Sequence, residues 1–265
     1  VSSATVMGYA GSGYTVGLGA YWSGASFIAA TMWMGWWIIP RLRRAGVTTV
    51  PEIFEHYFGP AHRIVALLLS LGRDLGVIAS ISIALAQIFQ SLFGISQMVA
   101  LFITVGVVLV FTASGGMWAV LVTDTIQSAM IIVGSVILIP LGIHKAGGFQ
   151  AFCAQVPATH INPVSAGFSQ TLGWLLLGCF ISFAYQTVLQ RGLAAKDDKT
   201  ARQCFLYGGG MAMLWYITPF MVGMVAKVVF PTINASDAYL TMCNILGPYA
   251  GAFFVVCLMA SCMST

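Results

Sequence analysis

The chain has 265 residues, of which 59% are hydrophobic and only 7% are charged, and its formal net charge at pH 7 is +4. A soluble domain carries about 25% charged residues because its surface faces water, so this composition excludes an ordinary soluble protein. Several apolar stretches have about 20 residues, enough for a helix to cross about 30 Å of hydrocarbon. The sequence therefore predicts an all-α protein, a polytopic bundle of transmembrane helices.

Eight apolar segments are expected to lie in the membrane. In chain order they cover residues 1–11, 17–39, 63–93, 97–111, 117–143, 171–189, 205–230 and 249–265. Gly115 and Gly116 predict a turn between the fourth and fifth segments. Because the sequence starts at Val1 and stops at Thr265 inside apolar runs, we expect a fragment that is cut within a span at each end.

A short helix is expected between the second and third segments. Thr49 is a residue type that caps helix N-termini, and Pro51 and Glu52 suit a first helical turn. This helix follows the end of the second segment, which stops at Pro40 and the basic run of residues 41–44.

Basic residues predict the orientation of the spans. Two lysines, Lys145 and Lys227, belong to loops on one side, whereas eight basic residues belong to loops on the other side. Cytoplasmic loops carry an excess of lysine and arginine, so the second group is expected in the cytoplasm. Its members are Arg41, Arg43, Arg44, Arg63, Arg191, Lys196, Lys199 and Arg202.

Three ionisable residues fall inside predicted spans: Arg73, Asp74 and Asp124. A charge at the centre of a membrane helix costs about 2.5–3.5 kcal/mol, so each needs a partner, a water-filled cavity or a function. Arg73 is a candidate for substrate binding or, alternatively, for a structural ion pair. Its neighbour Asp74 points about 100° away on a helix and is not an ideal partner. Asp124, near the cytoplasmic end of its span, is otherwise an ordinary helix-end carboxylate.

Three hydroxyl residues end the chain on one helical face: Ser261, Ser264 and Thr265. Their hydroxyl and carbonyl oxygens suit sodium, and transporters build such sites where a span unwinds. Small polar residues also serve as contacts between membrane helices, so this pattern alone leaves both interpretations open.

Other kinds of site find little support. Gly8, Gly11 and Gly13 follow no strand, which excludes a dinucleotide-binding loop. The six cysteines show no CxxC or metal-ligand spacing, so neither a zinc site nor a disulfide framework is expected. No nucleophile and base stand out as a pair, and the sequence therefore predicts no enzyme, no catalytic residue and no nucleic-acid partner.

Five motifs, in order along almost the whole chain, resemble the sodium:solute symporter family. That family includes sodium-coupled transporters of sugars, proline, pantothenate, choline and sialic acid. The matching segments are SSATVMG at 2–8, RLRR at 41–44 with TVPE at 49–52, SGGMWAV at 114–120 with TDTIQ at 123–127, QRGLAAK at 190–196 and MASCMST at 259–265.

The resemblance implies a fold of two inverted five-helix repeats, each with a first helix that is broken at mid-membrane. Residues 1–265 would then form a single transport domain. It would be incomplete, running from the break in core span 1 to within core span 8.

The resemblance also implies a sodium site. Ser264 and Thr265 match its hydroxyl ligands, whereas Ser261 and Val1 match positions that supply carbonyl oxygens. Asp124 matches the aspartate through which sodium leaves toward the cytoplasm. Sodium is the coupling ion and the only metal that this resemblance implies, and no cofactor is expected.

A sugar substrate is not favoured by the residues that match the sugar-binding positions of the family. Sugar transporters have polar side chains there, where this chain has Ala4, Thr5, Gly24 and Gly178.

The sialic acid branch matches the substrate region better. Ser2 and Thr5 are similar to residues of that branch, and Arg73 stands where its arginine binds the substrate carboxylate. A guanidinium suits a carboxylate by bidentate hydrogen bonding. The resemblance thus implies a carboxylate-bearing solute, with Phe183 and Gln186 in the same cavity.

The resemblance predicts an integral, multi-pass protein of the plasma or inner membrane that takes up a small solute with sodium by alternating access. Its partners would be that solute, the sodium ion and the lipid bilayer. An alternative is a symporter-like sensor domain of a signalling protein. A membrane enzyme and a proton-coupled symporter are further rivals, but no cluster of titratable residues favours either.

Overall fold

The computed structural model describes residues 3–263, with side chains throughout except at residues 3, 91–92, 111–121 and 263. Over this range the backbone is helical with short connections and has no strand, so the all-α prediction is confirmed. Short 3-10 segments cover Gly17–Ala20, Ala235–Asp237 and Asn244–Leu246, and a π-helical segment covers Met34–Ile38. The α-helices are α1 (Ser3–Thr15), α2 (Tyr21–Trp33), α3 (Ile39–Arg44), α4 (Val50–Phe58), α5 (Pro60–Phe93), α6 (Gln97–Lys145), α7 (Phe149–Gln155), α8 (Ala158–Ile161), α9 (Phe168–Ala184), α10 (Gln186–Leu193), α11 (Asp198–Trp215), α12 (Ile217–Val229), α13 (Ala238–Cys243) and α14 (Pro248–Met263).

Three parts of the described chain are helical, apolar and long enough to cross a membrane: Pro60–Gln90, Val122–Lys145 and Asp198–Val229. A fourth is the pair α9 and α10, which is bent by 51° between its two helices. Such lengths match the thickness of a hydrocarbon core, so the prediction of a multi-span helical protein is confirmed.

Helix α6 differs from the expectation. The backbone continues as one helix of 49 residues, where the sequence predicts two spans and a turn at Gly115 and Gly116. Glycine lowers helix propensity by about 1 kcal/mol but, unlike proline, leaves the backbone hydrogen bonds intact. Pro140 is the proline of this helix and lies near its end. Two adjacent glycines are therefore an insufficient signal for a chain reversal.

Helix α4 begins with the predicted cap. The hydroxyl of Thr49 accepts a hydrogen bond from the backbone N–H of Glu52 at 3.3 Å. In return, the Glu52 carboxylate accepts one from the backbone N–H of Thr49 at 3.2 Å. This reciprocal capping box satisfies N–H groups that the first turn of a helix leaves without partners.

We expect the start of α4 to loosen in acid. The hydroxyl and backbone N–H of Thr48 each donate to the Glu52 carboxylate at 2.7 Å, and they lower the pKa of that carboxyl below its ordinary value of 4.5. A lowered pKa stabilises the folded helix above pH 4.5, and this contribution is lost as the pH falls through the lowered value. The backbone N–H groups of Thr48 and Thr49 donate to this carboxylate, and an interaction with an exposed charge contributes about 0.5 kcal/mol, so these two amides should exchange about twofold faster in acid. Hydrogen exchange of these two amides at a series of pH values measures this effect.

The matched control for that experiment is Glu52→Gln, which keeps the size of the side chain and removes its charge. After correction for intrinsic exchange, the variant should exchange at one elevated rate across the same pH range. Wild-type protection that is unchanged through this range would contradict the role of Glu52.

Contacts divide the chain into two compact units. The first unit contains residues 1–20, 77–165 and 218–265. Within it, Tyr9 stacks on Phe220 with ring centroids 4.7 Å apart, and the Tyr14 hydroxyl donates to the carbonyl oxygen of Phe230 at 3.1 Å. The buried ring of His160 donates from Nε2 to the carbonyl oxygen of Tyr14 at 3.1 Å. These contacts fix α1 against α12 and α8.

The second unit contains residues 21–76 and 166–217. Helices α2 and α9 pack closely, because Gly178 lies directly against Ser26 and a Cβ atom there would overlap the serine side chain. The hydroxyl of Ser182 donates to the carbonyl oxygen of Phe27 at 3.1 Å across the same contact. The main apolar cluster of this unit consists of Met34, Ile39, Leu42, Val47, Val50, Leu189 and Ala201.

Candidate functional site

Arg73 is the most unusual polar residue of the second unit. It lies near the middle of the apolar part of α5, and its side chain is only 18% exposed. Its Nη2 donates to Oδ1 of Asp74, whereas Nε and Nη1 are buried without a hydrogen-bond partner among the described residues. A buried, unsatisfied donor costs about 1–3 kcal/mol, and more when it is charged. The guanidinium therefore offers donors that the described part of the protein does not satisfy.

The contact between Arg73 and Asp74 differs from the expectation that these neighbours make a poor pair. Their Cα–Cβ bonds diverge on the helix, but the long arginine side chain curls back to reach the carboxylate. Asp74 occupies one nitrogen of the guanidinium. An ion pair and donors that lack a partner among the described residues thus occur together in one side chain.

Tyr185 holds the other side of this guanidinium. Cζ of Arg73 lies 4.4 Å from the centroid of the Tyr185 ring, which is a cation–π contact. Tyr185 is also the residue between α9 and α10, where its extended backbone separates the two helices and produces the 51° bend. Phe27 contacts the same ring edge-on, with centroids 5.8 Å apart. Arg73 is therefore positioned beside the break of a membrane span.

Sequence reasoning missed Tyr185. The segment from α9 to α10 contains no proline, and its glycines lie elsewhere, so no local residue marks the break. The resemblance implies a broken first helix in each repeat but does not specify which residue lies at the break.

Phe183 and Gln186 lie in the same unit as Arg73 but make structural contacts. Phe183 packs edge-on against Trp33, with ring centroids 5.7 Å apart, and borders the apolar cluster. The side-chain oxygen of Gln186 accepts a hydrogen bond from the backbone N–H of Val50 at 2.8 Å. Gln186 thereby joins the start of α10 to the start of α4. Substrate binding by Phe183 and Gln186 stays a prediction.

Two glycines that match sugar-binding positions are packing residues. Gly24 is buried in α2, and Gly178 contacts Ser26 so closely that no larger residue fits there. Position 178 therefore has no room for a polar side chain. The absence of a polar group at this position does not by itself exclude a sugar substrate.

The first unit contains a cavity of about 400 Å³ between α1, α5 and residues 235–236. Two helical faces form it, because its lining residues recur at intervals of three and four along both helices. Among the described residues, no charged side chain lines it. The lining residues are Ala4, Met7, Gly8, Gly11, Ser12, Thr15, Ser80, Ile83, Ala84, Gln87, Ala235 and Ser236.

Transition-metal sites are built from clusters of histidine, cysteine, aspartate or glutamate side chains. The described residues contain no such cluster of three or more.

The model of the sodium:solute symporter family matches residues 1–265 of this chain. The chain belongs to the sodium:solute symporter family. It is accordingly part of an integral, multi-pass membrane protein, in agreement with its apolar helices.

Individual symporters are distant relatives. The chain is 28% identical to the sodium/glucose cotransporter 1 of Ovis aries over 267 residues, which cover 87% of this chain and 39% of that protein. It is 25% identical to the human sodium/myo-inositol cotransporter over 268 residues, which cover 87% of this chain and 37% of that protein. The chain thus spans well under half the length of these symporters.

A solved structure shares the fold. It is a Na⁺-coupled sialic acid symporter in a substrate-bound outward-open state, with a TM-score of 0.81 and 19% sequence identity. The match covers 100% of this chain and 60% of that one. At this identity the likeness establishes the sodium symporter fold alone.

Two of the five predicted sodium residues lie in described helices. Ser261 is buried in α14, and α14 contacts both α1 and α6. Asp124 is half-buried in α6. Val1, Ser264 and Thr265 lie outside the described residues. Sodium binding and release by these residues stay predictions.

The predicted substrate residues of α1 also await a test. Thr5 is half-buried in α1 of the first unit and does not line the cavity there, whereas Ser2 lies outside the described residues.

Proposed function

We propose that this symporter takes up a small carboxylate-bearing organic solute together with sodium. The observation that supports it is the guanidinium of Arg73, which is buried at mid-span with Nε and Nη1 unsatisfied among the described residues. An arginine binds a carboxylate through two parallel hydrogen bonds, and solute sites of such transporters lie near the bilayer midplane. Carboxylate binding supplies the acceptors that Nε or Nη1 requires.

The proposed mechanism is alternating access. Sodium bound by Val1, Ser261, Ser264 and Thr265 links the end of α14 to the start of α1 and stabilises the outward-open state. The contact between α14 and α1 supports this arrangement. Solute then binds, the helices move to the inward-open state, and sodium leaves past Asp124. Residues 1–265 act as one transport domain in this proposal, without an enzymatic step and without a cofactor.

Sodium supplies sufficient driving force. One ion that crosses a potential of about 100 mV releases about 2.3 kcal/mol. A tenfold sodium gradient adds about 1.4 kcal/mol. The sum corresponds to accumulation of about 500-fold, so a single ion is enough for a scavenging transporter.

Sodium-driven uptake by the full-length protein in proteoliposomes tests the proposal. We expect radiolabelled carboxylates to accumulate only with an inward sodium gradient. In the double variant Ser264→Ala/Thr265→Ala, the half-saturating sodium concentration should rise about tenfold or more, since each lost ligand weakens binding by about 1 kcal/mol.

The matched control is Ser169→Ala, which removes an exposed hydroxyl at the start of α9. It should leave the sodium dependence unchanged. Equal sodium dependence in the double variant and the control would contradict the assignment of Ser264 and Thr265. Uptake that ignores the sodium gradient would contradict symport itself.

A neutral polyol is the second candidate solute. Two relatives are cotransporters of glucose and myo-inositol, and the described residues that line the cavity of the first unit are uncharged and include five polar side chains. Uptake of D-glucose and myo-inositol in the same vesicles distinguishes the candidates. Sodium-driven uptake of either polyol, with no uptake of carboxylates, would replace the first proposal with the second.

A further inference from the structure

Arg73 and Asp74 form an electrically neutral pair near the middle of a membrane span. Their formal charges cancel, and within the described residues neither side chain makes an ion pair with a third group. Both lie near the centre of Pro60–Gln90, where an unbalanced charge is expensive. When a ligand binds beside this pair, the net charge of the pair together with the ligand therefore equals the charge of the ligand.

The two carboxylate-binding edges of the guanidinium share one nitrogen. A carboxylate binds either to Nε with Nη2 or to Nη1 with Nη2, so Nη2 takes part in both arrangements. Because Asp74 already accepts from Nη2, a bound carboxylate must lie next to the carboxylate of Asp74. One guanidinium then faces two carboxylates, which leaves a net negative charge unless a second positive group lies beside them.

Tyr185 restricts the approach to the same region. Its ring covers one face of the guanidinium and excludes a ligand from that face. Because Nε and Nη1 are buried, a ligand must displace neighbouring side chains to reach the edges. The side chain of Asp74 is 44% exposed, and a carboxylate has about four acceptor positions, of which Nη2 uses one. Asp74 thus has acceptor capacity for a second donor at the edge where a ligand carboxylate binds.

We infer that the solute is a zwitterion, whose carboxylate binds Arg73 and whose ammonium group binds Asp74. In an α-amino acid the ammonium nitrogen is two bonds from the carboxylate carbon, so both charges reach adjacent partners. The zwitterion brings one positive and one negative charge and leaves the site neutral. A simple carboxylate leaves it with a net negative charge, and an amine leaves it with a net positive charge. Because Arg73 is the proposed carboxylate anchor, this inference rests on the proposed function.

Matched ligand sets test the inference in sodium-loaded proteoliposomes of the full-length protein. One set is L-phenylalanine, 3-phenylpropionate and phenethylamine, and another is L-proline, cyclopentanecarboxylate and pyrrolidine. Binding of each is measured by scintillation proximity or by competition. In the wild type we expect one zwitterion to bind at least about 30-fold tighter than either of its partial analogues, since the simple carboxylate adds an uncompensated negative charge beside Asp74 and the amine adds an uncompensated positive charge beside Arg73.

The variant Asp74→Asn should reverse this preference. The zwitterion loses its ammonium partner and binds about tenfold more weakly, while the simple carboxylate loses a neighbouring like charge and binds about tenfold more tightly. Asp74→Glu keeps the charge and should retain the preference of the wild type. A role of Asp74 in merely positioning Arg73 would weaken both ligands by the same factor, and this outcome would overturn the inference.

The remaining outcomes distinguish failure of the zwitterion inference from failure of the proposed carboxylate-bearing solute. Equal wild-type affinity for a zwitterion and its simple carboxylate would overturn the zwitterion and leave the carboxylate-bearing solute in place. Absence of binding by every carboxylated ligand, in a preparation that binds sodium, would overturn both.

Discussion

Replacement of Arg73 by alanine is expected to reduce sodium-driven uptake of a carboxylated solute by at least about 100-fold. Breaking a buried, hydrogen-bonded charge pair costs about 3–5 kcal/mol, which corresponds to more than two orders of magnitude in kcat/KM. The variant also leaves Asp74 at mid-span without the cation that it contacts. Initial rates of uptake at several solute concentrations measure the loss.

Two further variants test whether the loss of uptake comes from the guanidinium of Arg73. Arg73→Lys keeps the charge but lacks the planar fork, and we expect it to retain only a small fraction of the activity. Arg63→Ala removes another arginine of α5, which pairs with Glu55 at 2.6 Å and is exposed. It should transport normally. Comparable uptake by Arg73→Ala and Arg63→Ala would exclude Arg73 from solute binding.

Replacement of Gly223 by alanine is expected to damage the first unit. A Cβ atom at Gly223 would overlap the carbonyl oxygen of Ala10, and one at Gly13 would overlap the backbone of Phe220. Helices α1 and α12 therefore meet backbone to backbone, without a flexible side chain that can move aside. Overpacking costs about 1–3 kcal/mol, and a rigid backbone contact lies at the upper end of this range. Thermal unfolding monitored by size-exclusion chromatography should show the lower stability.

The control for this prediction is Gly208→Ala. Gly208 is exposed in α11, and no described residue outside its own helical turn has a heavy atom within 4 Å of a Cβ placed there. Alanine has the higher helix propensity, so the control should be neutral or stabilising by up to about 1 kcal/mol. If Gly223→Ala were as stable as this control, the close approach of α1 and α12 would be wrong.

Local signals in the sequence predicted local structure well. Thr49, Pro51 and Glu52 predicted the capped helix α4, because a capping box depends only on residues within one turn. The long apolar segments likewise predicted membrane-length helices. Gly115 and Gly116 gave a wrong boundary, since glycine permits a turn without requiring one.

Contacts between residues that are far apart in the sequence could not be predicted from local patterns. The stacking of Tyr185 on Arg73 joins residues 112 positions apart in sequence, and neither residue has a pattern that indicates the other. The same holds for the hydrogen bond between Gln186 and Val50, which gives a predicted substrate residue a structural role.

By itself, the sequence determined that this protein is helical, crosses the membrane several times and resembles a sodium symporter, because composition, length and ordered motifs are properties of the chain. Only the tertiary structure decided that Arg73 contacts Asp74 and Tyr185 and leaves two donors unsatisfied among the described residues. The physical reason is that hydrogen bonding and burial depend on which side chains meet in space. Long arginine side chains can reach several partners, and packing alone selects among them.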